Sequence, residues 1–72
     1  MSTFDEEYPN LAAWILGDDA WIELGRDDFS RSVVRILDIG GLIWEGEHTY
    51  PTVAAALADA EAALAAWLDV NG

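Results

Sequence analysis

Two runs of β-branched and large apolar residues meet across a pair of glycines, and this arrangement constrains the chain more than any other. Ser32-Val33-Val34-Arg35-Ile36-Leu37-Asp38-Ile39 leads into Gly40-Gly41, and Leu42-Ile43-Trp44-Glu45 leads out. Branched and aromatic side chains suit a pleated, half-buried strand. A Gly-Gly pair between two such runs signals a two-residue hairpin of the primed type. Trp21-Ile22-Glu23-Leu24 reads as a further strand, joined to residues 32–39 through a turn at Asp27-Asp28. Short turns make the three strands an antiparallel meander with residues 32–39 in the centre.

A hairpin centred on Gly40-Gly41 sets Ile39 against Leu42, Leu37 against Trp44 and Ile36 against Glu45. Side chains alternate between the two faces of a sheet. One face then carries Ile22, Leu24, Val33, Leu37, Ile39, Leu42 and Trp44, and is expected to be the core face. The other carries Trp21, Glu23, Ser32, Val34, Ile36, Asp38, Ile43 and Glu45. Arg35 has core-face parity, so it is expected near an end of the sheet, its stem covered and its head paired with a carboxylate.

Three strands with an apolar face need a second layer. Tyr8-Pro9-Asn10-Leu11-Ala12-Ala13 is echoed by Tyr50-Pro51-Thr52-Val53-Ala54-Ala55, and both segments read as helix starts. Proline keeps the residue before it extended, and Asn10 and Thr52 stand where N-caps are expected. The first helix is expected over residues 11–16, with Leu11, Trp14 and Ile15 on one face and Gly17 as an αL stop. A helix this short does not stand alone in water. The last helix, residues 53–69, is rich in alanine, the best helix former. Val53, Leu57, Ala60, Leu64, Trp67 and Leu68 make a stripe expected to lie on the sheet. Its other side shows Ala54, Ala55, Ala58, Ala62, Ala65 and Ala66, with Asp59, Glu61 and Asp69 as its charges, and Asn71-Gly72 ends it.

The expected fold is therefore α+β in the order α-β-β-β-α: a three-stranded antiparallel meander with both helices packed on one face. Residues 1–8 are expected to be a flexible acidic N-terminal segment, and 9–72 a single α+β domain. The element order resembles that of the double-stranded-RNA-binding domain. The resemblance is one of order alone. Ala54, Ala55 and Ala56 stand at the start of the last helix, where such domains carry basic residues.

Charge narrows the function. Three basic residues, all arginine (Arg26, Arg31 and Arg35), oppose fourteen acidic ones, for a net charge of −11. Direct nucleic-acid binding is not expected, because affinity for a phosphate backbone comes from Lys and Arg displacing counterions. Anionic membrane surfaces repel the chain for the same reason, and no apolar run reaches the length of a span. A cytoplasmic location is expected, since Met1-Ser2-Thr3-Phe4-Asp5-Glu6-Glu7 lacks the character of a secretory signal. The acidity serves either solubility or attraction to a basic partner.

Residues suited to chemistry are sparse. His48 is the single histidine, following Glu45 and Glu47, and reads as a loop residue. Ser30 or Ser32 with His48 lacks any elbow motif or oxyanion loop. Asp18-Asp19 and Asp27-Asp28 lack the spacing of a calcium loop and read as turn residues. No phosphate-binding glycine motif occurs. Neither catalysis nor a metal nor a cofactor is expected.

A small core and no cysteine leave stability to dense packing or to a second subunit. With both helices on one face, the other face is open. The expected protein interface is Trp21, Glu23, Val34, Ile36, Asp38, Ile43 and Glu45, an apolar patch with an acidic rim. The expected function is a small acidic interaction module binding a protein partner, or its own copy as a homodimer, through that face. The alternative is an acidic inhibitor or decoy, of immunity-protein, antitoxin or nucleic-acid-mimic type, occupying a basic site on another protein.

Overall fold

The computed structural model describes residues 3–25 and 32–71. The elements are α1 (Phe4–Glu7), α2 (Pro9–Ile15), β1 (Ala20–Leu24), β2 (Val34–Asp38), β3 (Gly41–Glu45) and α3 (Val53–Asn71). The strands form one antiparallel sheet in the order β1-β2-β3, with β2 in the centre. The fold is thus α+β, with helices before and after a three-stranded meander. The expected turn at Asp27-Asp28 lies outside the described residues.

Local chemistry explains most of the element ends. Thr52 caps α3, its hydroxyl accepting from the Ala55 N–H at 3.0 Å. Thr3 does the same for the single turn of α1, accepting from Glu6 N–H at 3.2 Å. In α2 the helix starts two residues earlier than the capping pattern suggests. Pro9 takes the first helical position, where its missing N–H is no loss, and Asn10 lies inside the helix. The cap comes instead from the far end of the sequence. The Glu61 carboxylate accepts from Asn10 N–H at 3.1 Å, Leu11 N–H at 2.9 Å and the Asn10 side-chain amide at 2.6 Å. At the other end Gly17 has no left-handed backbone, so α2 does not stop through an αL glycine.

Glu61 ties α3 to the start of α2, and further along both helices Trp14 meets Trp67 edge-on at 5.7 Å. The two helices therefore run side by side in the same direction. Beneath them Leu11, Val34, Ile36, Ala56, Leu57, Ala60 and Leu64 form the buried core. Trp14 also fastens helix to sheet, its indole N–H shared between the carbonyls of Leu37 at 3.0 Å and Trp21 at 3.2 Å. Along α3 the expected stripe is buried at Leu57, Ala60 and Leu64, with Ala56 added, while Val53 and, on α2, Ile15 are exposed.

The far edge is sealed by Tyr50. Its hydroxyl donates to Asp59 of α3 at 2.6 Å and accepts from the Glu47 N–H at 2.8 Å. Gly46 lets this happen: a Cβ there would collide with the Tyr50 hydroxyl and stand 2.8 Å from Val34 Cγ1.

The hairpin differs from expectation by one residue, with large consequences. Asp38 pairs with Gly41, so the two loop residues are Ile39 and Gly40. The Asp38 carboxylate accepts from Gly40 N–H at 2.8 Å, a side-chain turn that competes with the Gly-Gly alternative. Gly41, and neither loop residue, has positive φ, so the turn is not of the primed type. Leu37 then faces Leu42 while Ile36 faces Trp44, which leaves Ile43 as the extra residue of a β-bulge.

Candidate functional site

The one-residue displacement turns β2 over. Val34 and Ile36, expected on the open face, are 0% exposed and sit in the core on the side of the sheet that faces the helices. Ile43, also expected there, packs against the core with Trp44, because the bulge sends two successive side chains toward the helices. Asp38 is half-buried and occupied in the hairpin turn. These four residues do not form an exposed patch. Trp21, Glu23 and Glu45 do lie on the face away from the helices.

The residues that join them are Leu37, Leu42 and Arg35, which the expected register places toward the core. Strand pairing sets Trp21, Leu37 and Leu42 in one row across all three strands. Trp21 is 42% exposed, Leu42 is 52% exposed, and neither they nor Leu37 pack on the core. The next row is Glu23, Arg35 and Glu45, a cation between two carboxylates. The open face is therefore an apolar row beside a charged row.

Arg35 is held firmly in that row. Its Nε donates to Glu23 at 3.0 Å, Nη1 to the Ser32 carbonyl at 2.7 Å and Nη2 to the Gly25 carbonyl at 3.0 Å. The guanidinium thus clamps both ends of the connection between β1 and β2, and meets the expectation of a covered stem with a paired head. Glu23 also accepts from the Trp21 indole N–H at 3.3 Å, which holds the ring beside the charged row. Glu45 accepts from the buried Ser32 hydroxyl at 3.4 Å.

Elsewhere the polar groups serve the fold. His48 lies in the exposed connection between β3 and α3. Among the described residues no three His, Asp or Glu side chains gather at metal-binding range, and no pocket opens. Asp18 and Asp19 stand in the exposed turn before β1, where the Asp19 carbonyl accepts from Ile39 N–H at 2.9 Å. Ser30 lies outside the described residues. No helix among the described residues is long and apolar enough to cross a membrane.

One signal in the sequence points to the true register. Asp two residues before a glycine favours a side-chain turn starting at that Asp, and Asp38-Ile39-Gly40 has that form. No known protein family, curated protein or solved structure matches the chain.

Proposed function

We propose that this chain is a non-enzymatic protein-interaction module of the cytoplasm that docks a protein partner on the open face of its sheet. The observation that carries this reading is the row Trp21–Leu37–Leu42. It crosses all three strands and lies on the side opposite both long-range helix contacts. Large apolar side chains in a contiguous patch with a charged border favour recognition, and tryptophan is enriched among residues that dominate binding energy. The surrounding hydrogen bonds keep the face rigid: Arg35 and Glu23 tie β1 to β2, and Trp14 pins the same strands from behind. A rigid face loses little entropy on docking.

The test is affinity capture with three forms of the chain. Proteins retained by the wild type should be lost with Leu37→Glu and with Leu42→Glu, while the far-UV circular dichroism of all three forms agrees. Retention unchanged by both substitutions removes the sheet face from consideration. The acidic inhibitor or decoy reading rests on the −11 net charge. It requires retention that survives both substitutions and collapses with added salt.

A further inference from the structure

We infer that the partner seated on this face is a basic protein segment, one that presents a large apolar side chain flanked by Lys or Arg, and not a second copy of this chain. The inference rests on the docking reading above and adds the chemistry of the occupant.

The charged row supplies the argument. Its single cation is spent internally, since Arg35 directs Nε to Glu23 and its two terminal nitrogens to backbone carbonyls of its own chain. A guanidinium so occupied offers little to an incoming anion. Glu23 and Glu45 stand exposed at the two edges of the sheet, on β1 and β3, with the apolar row beside them. A segment lying across the strands therefore meets apolar surface along its length and the Glu45 carboxylate at its β3 end, while Glu23 at the β1 end is shared with Arg35 and the Trp21 indole. Lysine or arginine next to a buried anchor satisfies both.

A second copy fits this surface poorly. Stacking two such faces about an axis along β2 sets Arg35 against Arg35 and each carboxylate edge against the other. The symmetric alternative, about an axis along the apolar row, still brings together two chains that each carry −11. Long-range attraction instead favours a partner of opposite sign, and speeds its arrival.

The experiment pans a random 16-residue peptide display library on the immobilised full chain, counter-selecting on Leu37→Glu. Clones that bind the wild type and not Leu37→Glu should carry an excess of Lys and Arg around an aromatic or leucine anchor. Leu37→Glu should weaken such peptides by about thirtyfold or more, as expected for loss of a central apolar contact. Glu23→Gln and Glu45→Gln should each weaken them several-fold and lessen their sensitivity to salt. Face-dependent clones without excess positive charge overturn the basic partner while leaving the docking face standing. Clones indifferent to both Leu37→Glu and Leu42→Glu overturn the face itself. Sedimentation supplies the remaining outcome: a dimer of the wild type that Leu37→Glu dissociates replaces the basic segment with a second copy.

Discussion

Ile36 and Leu37 are consecutive in β2, nearly equal in size and hydrophobicity, and face opposite ways. Ile36 lies in the core beneath α3 and has no exposed surface. Leu37 lies between Trp21 and Leu42 on the uncovered side. The covered face is held by apolar packing and closed by polar ties: Glu61 across the helices, Trp14 to the strands, Tyr50 at the far edge. The uncovered face is held by one clamped arginine and leaves Trp21 and Leu42 exposed, with Leu37 half-buried between them. A chain of 72 residues has little core to spare. A Trp and two Leu outside the core, aligned in one row across the strands, are what the proposed docking rests on.

The comparison breaks most sharply at Ile36. Ile36→Glu sets a carboxylate among Leu11, Leu57 and Leu64, where nothing pairs with it. The cost exceeds the roughly 3–5 kcal/mol that a core of this size supplies. Far-UV circular dichroism should show an unfolded chain at 25 °C. A folded Ile36→Glu variant contradicts the assignment of faces.

Next comes the joint between the covering helices. Glu61→Ala removes a charged acceptor from two backbone N–H groups and the Asn10 amide. Urea denaturation should show a loss of about 1–2 kcal/mol, the range for a lost N-cap. The docking face should be untouched, so any peptide selected on it binds Glu61→Ala as it binds the wild type.

The smallest effect is at Tyr50, on the rim of the covered layer. Burial first, and then the hydrogen bond to Asp59, raise the pKa of its hydroxyl above the ordinary tyrosine value, although the Glu47 N–H pulls the other way. A raised folded-state value means that the phenol's contribution is present in full below about pH 10 and is lost as pH rises through the folded pKa. Tyr50→Phe should cost about 1 kcal/mol at neutral pH. It should also flatten the decline in stability above about pH 10, read from denaturation at stepped pH.

The element order was legible in the sequence because its signals are local. Alanine content, Thr52 as a cap and β-branched runs each act within a few residues. The faces were not legible because they hang on a single residue of register. Gly40-Gly41 and Asp38-Ile39-Gly40 propose different turns, and the Asp38 side chain decides between them. The bulge at Ile43 then breaks the alternation, so both Ile43 and Trp44 reach the core. Glu61 as the cap of α2 lies fifty-one residues from Asn10 and leaves no local trace. Of the expected interface, Trp21, Glu23 and Glu45 kept their side, whereas Val34, Ile36 and Asp38 of the central strand and Ile43 at the bulge of β3 did not.

The absence of cysteine permits a direct measurement of which side is open. Ile36→Cys and Leu37→Cys are prepared as single-thiol variants, and the rate of labelling by a thiol reagent is followed under native conditions. The thiol at position 37, half-buried in the sheet, should react within about tenfold of the rate of the denatured chain. The thiol at position 36 should react about a hundredfold more slowly or less, since it is reached only when the core opens. Equal rates, or faster labelling at position 36, contradict the account.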